Sequence, residues 1–224
     1  MMIHSPDQKM QIASLPLPDF FKNHYASYPS LTPIQEKALA AGLLEGKSLL
    51  ICAPTASGKT LVASMAICNQ LKQGKAIYVV PLKALANEKF KEFKRLLEKT
   101  EYKTTISIGD IDSPSPYLAN YDLIILTSEK LDSLLRHKAD WIYYIKTIIV
   151  DEIHLLNDPT RGPTLEIILT LLKTIISPQI IGLSATIGNP KELAKWLGAE
   201  LVQDSWRPVE LKQGIHVNGE TEFY

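Results

Sequence analysis

The residues with the clearest capacity for chemistry form one octapeptide, Ala53-Pro54-Thr55-Ala56-Ser57-Gly58-Lys59-Thr60. An apolar run, 48–52, precedes it, and Leu61, Val62, Met65, Ala66 and Leu71 follow at helical spacing. Strand, tight loop and helix are the setting in which a Gly-Lys-Thr loop binds phosphate. Backbone N–H groups of the loop that Pro54 opens, from Thr55, Ala56, Ser57 and Gly58, and of the start of the helix would converge on phosphate oxygens. Lys59 would reach the β- and γ-phosphates, and the Thr60 hydroxyl would complete the shell of a Mg2+ ion. Ala53 stands where the strict pattern has its first glycine.

A phosphate loop calls for a second acid to hold the metal and a base to aim water. Asp151-Glu152 closes the apolar run 147–150 and fits both roles, Asp151 holding Mg2+ through water and Glu152 orienting and deprotonating the attacking water. His154 lies two residues on, and Ser184-Ala185-Thr186 closes another apolar run, so that a His-to-hydroxyl hydrogen bond between neighbouring strand ends becomes plausible. Taken singly, His154 is a satisfied polar residue and Ser184 an ordinary helix cap.

The elements that must position these groups alternate in type. Thr32 and Pro33 start a helix expected to run to about Glu45 and stop at Gly46. Strands follow at 48–52, 76–80, 104–108, 122–126, 147–150 and 179–183, with helices at 61–71, 128–136, 164–175 and 190–196. A long amphipathic helix after Pro81 turns Leu85, Phe90, Phe93, Leu96 and Leu97 inward and Lys89, Lys91, Lys94 and Lys99 outward. Near-continuous apolar strands separated by helices argue for a mainly parallel α/β sheet covered on both faces. In such a sheet, ligands bind at the C-terminal ends of the strands. Residues 1–30 form a lead-in, 31–204 one domain, and 205–224 a linker or first strand of something further.

Bulk composition narrows the class. The chain has 224 residues, 46% of them hydrophobic, enough for one substantial core. Lys plus Arg and Asp plus Glu number 24 each, so any nucleic-acid surface must be local rather than a global attraction. The two cysteines, Cys52 and Cys68, have no metal-ligand spacing and read as small buried side chains in a reducing compartment. The longest apolar stretch, 165–176, carries Glu166 and Lys173 and is too short to span a bilayer. A soluble, cytoplasmic protein is expected.

In order, the chain carries TPIQ (32–35), APTASGKT (53–60), PLKALANEK (81–89), TSEKLDSLLR (127–136), DEIH (151–154) and SAT (184–186). This set resembles the first RecA-like domain of superfamily-two helicases. DEIH, Arg161-Gly162-Pro163, WLGA (196–199) and WRPV (206–209) resemble the Ski-like branch, and within it the archaeal DNA-repair helicases related to the animal HELQ family. The resemblance implies that Gln35 reads the adenine edge, with Phe20, Phe21 or Tyr28 packing on the base. It also implies that His154, Ser184 and Thr186 couple hydrolysis to strand movement, and that Pro81, Lys83, Thr127 and Ser128 contact a nucleic-acid backbone. Hydroxyls and helix-start amides at Thr127 and Ser128, with the charge of Lys83, suit a phosphate.

Relatives of this kind place a second RecA-like domain after the first, and its arginines complete the ATP site. Arg161 and Arg207 match no such finger. The resemblance therefore implies a monomeric fragment of a 3′-to-5′ DNA helicase that binds ATP and Mg2+, hydrolyses slowly by itself and unwinds nothing alone. An RNA track, and a nucleotide-gated module without turnover, stay open. A small-molecule kinase lacks a visible acceptor pocket.

Overall fold

The structure is a computed structural model and describes residues 10–28, 30–109, 114–210, 214–217 and 219–223. In chain order its elements are α1 (Asp19–His24), α2 (Pro33–Ala40), β1 (Leu49–Cys52), α3 (Lys59–Gln70), β2 (Lys75–Val80), α4 (Lys83–Leu97), β3 (Thr104–Ser107) and β4 (Leu123–Thr127). Then come α5 (Ser128–Arg136), β5 (Ile145–Val150), α6 (Gly162–Ile175), β6 (Gln179–Ser184), α7 (Pro190–Leu197), β7 (Glu200–Gln203), β8 (Gly214–Val217) and β9 (Glu220–Phe223). Among the described residues four short 3-10 turns accompany them, including Ile153–Asn157 directly after the Asp151-Glu152 pair.

β1 to β7 form one sheet in the order β3-β4-β2-β5-β6-β1-β7, every pairing parallel. Because successive strand residues face opposite sides, each strand feeds two cores. Leu49, Ile51, Tyr78, Ile125, Ile149 and Ile181 pack against α1 to α4. Leu50, Cys52, Ile77, Ile124, Ile148 and Ile180 pack against α5, α6 and α7. Burying each such Leu or Ile is worth about 1.5–3 kcal/mol, which explains why β1, β4 and β6 are buried on both faces along their whole length, with polar residues only at strand ends (Thr127, Gln179 and Ser184).

Parallel pairing sends every strand C-terminus to one edge. Cys52 stands opposite Ser184, Val150 opposite Gly182, and Val80 opposite Thr127. The phosphate loop, Asp151-Glu152, Ser184, Pro81 and Ser128 therefore emerge side by side from residues far apart in the chain.

Four features depart from the sequence reading. α2 ends at Ala40 rather than near Glu45, because Gly42 takes a left-handed φ of 97° and Leu43 N–H closes back on Ala38 O at 3.1 Å. Ile12, Leu15, Leu17, Phe21 and Tyr25, set apart as a lead-in, are buried in the same core as α3 and α4. Lys89, expected to face outward, is only 6% exposed. Val209, Leu211 and Ile215 hint at one strand beyond Asp204, but Val209 stays exposed outside any strand and Ile215 belongs to a separate antiparallel hairpin, β8–β9, exposed on every residue; Leu211 lies outside the described residues.

Candidate nucleotide-binding site

The loop between β1 and α3 is shaped by its backbone. Ala56 and Gly58 take left-handed φ values of 65° and 96°, and Ser57 N–H between them closes a tight turn on Pro54 O at 3.3 Å, directly before the start of α3. Gly58 has no room for a Cβ, which would collide with Gln35 Nε2. The loop is braced from α2: Thr32 Oγ1 donates to Ser57 O at 2.8 Å, and Gln35 Nε2 donates to Gly58 O at 3.0 Å. Gln35 Oε1 in turn accepts from Thr32 N–H at 2.9 Å. Pro54 is buried, while Thr55 and Ala56 at the tip are exposed.

Lys59 Nζ donates to Ala53 O at 2.6 Å and Pro54 O at 3.0 Å, so its ammonium lies folded over the concave side of the loop. Burial lowers its pKa, opposed by the Glu152 and Asp151 carboxylates and reinforced by Arg207. Ser57 Oγ is buried without a hydrogen-bond partner among the described residues. An orphaned hydroxyl, the N-terminus of α3 and a folded ammonium together suit a polyanion. Cys52, just before the loop, has its thiol pushed up to about 11 by burial against the pull of Lys59, and so stays protonated.

Across β6 lies the acidic pair. The Tyr78 hydroxyl donates to Asp151 Oδ2 at 2.9 Å, and Glu152 N–H donates to Asp151 Oδ1 at 3.1 Å, so both carboxylate oxygens are oriented. Tyr78 is fully buried, and burial followed by the Asp151 charge holds its hydroxyl well above the ordinary tyrosine range; it remains a donor. Glu152 sits in the left-handed region at φ 51°, a conformation costing about 1–3 kcal/mol for a non-glycine residue. His154 Nδ1 lies 3.3 Å from Glu152 Oε2 and 3.5 Å from Ser184 Oγ. One ring nitrogen facing two oxygens links the catalytic-base candidate to the end of β6. Thr186 is exposed two residues further on.

Among the described residues, no group of three or more His, Cys, Asp or Glu side chains could hold a metal. Thr60 and Asp151 supply isolated oxygens only, which suits Mg2+, an ion that keeps waters and takes phosphate oxygens as its remaining ligands.

Two of the four strand-contact candidates lie beside this site. Pro81 and Ser128 line a cavity of about 20 Å3 with Asp151, Glu152 and Arg161. Lys83 is exposed at the start of α4. Thr127 and Ser128 are buried, and Thr127 Oγ1 caps α5 by accepting from Lys130 N–H at 3.5 Å. Of the aromatics, Phe21 is fully buried and Phe20 packs on Tyr102, with centroids 6.1 Å apart; Tyr28 is 56% exposed.

Sequence reasoning missed Tyr78 and Lys89. Tyr78 is the one polar-tipped residue in the run AIYVV, and Lys89 falls on the stripe Ala86, Phe93, Leu96 that α4 buries; both signals were present.

A seven-stranded parallel sheet with a Gly-Lys-Thr loop and an acidic pair on one edge defines a RecA-like nucleoside-triphosphate-binding domain. The chain belongs to the DEAD/DEAH box helicase family, whose model matches residues 32–193. It is 57% identical over 201 residues to the ATP-dependent DNA helicase Hel308 of Methanocaldococcus jannaschii, covering 86% of this chain and 17% of that protein. It is 53% identical over 191 residues to Hel308 of Pyrococcus abyssi, covering 84% and 26%. Among solved structures, Mycobacterium smegmatis helicase Lhr bound to ssDNA and AMP-PNP superposes with a TM-score of 0.71 at 29% identity, covering 85% of this chain and 28% of Lhr. The DUF1998 helicase MrfA bound to DNA gives 0.71 at 26% identity, covering 84% and 30%. The chain thus spans between about a sixth and a quarter of the length of these curated relatives.

Proposed function

We propose that this chain is the first RecA-like, ATP-binding domain of a longer 3′-to-5′ DNA helicase acting in repair or fork processing. The observation that carries the reading is the shared cavity: Pro81 and Ser128, the strand-contact candidates, face the same space as Asp151 and Glu152. Names of the Hel308 relatives and the DNA-bound state of the Lhr and MrfA structures favour DNA as the track.

In this reading Lys59 leaves the carbonyls of Ala53 and Pro54 for the β- and γ-phosphates, and Ser57, Gly58 and the first amides of α3 hold the remaining oxygens. The amide hydrogen and lone pair that its present bonds leave on Gln35 serve the adenine edge, with Tyr28 as the exposed aromatic. Thr60 and Asp151 hold Mg2+, which when bound neutralises charge on the phosphates. Glu152 takes the proton of the attacking water, and its contact with His154 passes the change in charge toward Ser184 and the exposed Thr186. Lys83, Thr127 and Ser128 meet the strand backbone, sequence-tolerantly. An arginine from a second domain of the same parent completes the site, an addition worth about a thousandfold or more.

Among the described residues no helix is long and apolar enough to cross a membrane, and both cysteines are buried free thiols. A cytoplasmic location, in keeping with the likeness to the Hel308 DNA helicases, and a monomeric state belong to the same proposal.

The test is steady-state ATP hydrolysis by this chain beside nucleotide binding, with matched single-stranded DNA and RNA. Tight nucleotide binding with slow turnover supports a half-site. Brisk turnover stimulated by DNA would mean that no second domain is needed, and an equal or stronger response to RNA would overturn the DNA assignment.

A further inference from the structure

α4 lays Ala86, Phe93, Leu96 and Leu97 against the sheet, and Lys89 stands in the middle of that stripe. A buried ammonium is costly unless hydrogen-bonded. Lys89 Nζ donates to Thr60 Oγ1 at 3.1 Å and lies 3.1 Å from Glu92 Oε2, with Glu88 Oε1 at 4.0 Å. Its first partner is the hydroxyl oxygen assigned above to Mg2+.

We propose that Lys89 is a resident cation on the metal-binding hydroxyl, holding Thr60 Oγ1 until Mg2+ and nucleotide claim it and then moving wholly to Glu92. The proposal rests on the assignment of Thr60 as a metal ligand. An ammonium and a divalent ion sharing one oxygen repel, by an amount worth about tenfold in affinity even with water-like screening. Glu92 already lies within reach, so the handover needs only rotation at the end of the lysine side chain.

The consequence falls on α4. One turn past Lys89, Phe93 packs on Tyr78 with ring centroids 5.6 Å apart, and Tyr78 holds Asp151. Both metal-side residues therefore bear on one face of one helix, whose first residue is the strand-contact candidate Lys83. The occupancy of the nucleotide site is passed along α4 to that strand-contact end by exchange of an ion-pair partner.

The experiment is a Mg2+ titration of the binding of a fluorescent ADP to this chain, for the wild type and for Lys89→Met, Glu92→Gln and Thr60→Ala. Lys89→Met keeps the side-chain length without the charge, and should lower the Mg2+ concentration needed by about three- to tenfold. Glu92→Gln removes the alternative partner and should raise it by a comparable factor. A Lys89→Met requirement equal to or above wild type would overturn the handover and leave Lys89 a static brace. Thr60→Ala separates the two readings: if it leaves the Mg2+ requirement unchanged, the metal assignment itself fails. Should Lys89→Met not fold, Lys89→Gln retains a donor to Thr60 without the charge and gives the same readout.

Discussion

The Tyr78 hydroxyl donates a hydrogen bond to Asp151 Oδ2 at 2.9 Å, between residues 73 apart in the chain, from the floor of the sheet to the acid at its edge. A tyrosine in an otherwise aliphatic strand is thereby made part of the nucleotide site. Tyr78→Phe keeps the packing on Phe93 and deletes only the donor. It should cost about 1 kcal/mol in chemical denaturation and raise the Mg2+ needed for nucleotide binding, because Asp151 is then free to turn. Unchanged Mg2+ dependence would reduce Tyr78 to a packing residue.

Lys59 and Glu152 should separate binding from turnover. Lys59→Ala removes the only ammonium folded over the loop among the described residues and should abolish ATP binding in calorimetry. Glu152→Gln keeps the shape and removes the base. Binding should persist while hydrolysis by the parent helicase falls by about 10²–10⁴-fold. Turnover that survives Glu152→Gln would place the base elsewhere.

Gly58 combines a φ of 96° with a position closed off by Gln35, whose amide is pinned at both ends. Gly58→Ala should destabilise the fold by about 1–3 kcal/mol and weaken nucleotide binding more than Ala56→Gly, which relieves a left-handed φ of 65°. Thermal melting with and without ADP distinguishes the two; equal effects would mean that the α2 brace is irrelevant to the loop.

Asp204 ties the chain after β7 to α2 through Lys37 Nζ at 2.8 Å. Burial pushes this carboxyl up, but the Lys37 ammonium and the Trp206 backbone N–H outweigh it, and the net pKa is lowered. A depressed carboxylate stabilises the fold above its unfolded pKa, near 3.9, and the benefit is lost as pH falls through the folded value. Asp204→Asn should therefore be about 0.2–1 kcal/mol less stable than wild type at pH 7, with the difference vanishing as pH falls through the lowered folded-state pKa. A gap that persists in acid would locate the effect in packing.

The strands, most helices and the two motifs on the sheet edge were legible because each is local: an apolar run is a strand wherever its neighbours lie, and Gly58-Lys59-Thr60 carries its own loop geometry. The sequence places α5 to the residue, since Thr127 caps it and Leu131, Leu134 and Leu135 recur at helical spacing. α2 was read too long because Ala, Leu and Glu favour helix through residue 45, whereas Gly42 and the closing bond from Leu43 to Ala38 end it earlier. Lys89 was read as solvent-facing because lysine usually is, though its position on the helix stripe placed it inward. The family resemblance implies that Gln35 faces a base, and what the structure shows is a buried Gln35 bracing the loop.

From the sequence alone came the phosphate loop, the acidic pair and the family resemblance, since those depend on contiguous residues and their order. Tertiary structure alone decided which groups meet. The strand order brings Tyr78 to Asp151, and the packing of α4 brings Lys89 to Thr60 across 29 residues. Such partnerships follow from strand register and helix rotation, quantities set by the whole core at once and written in no single stretch of the chain.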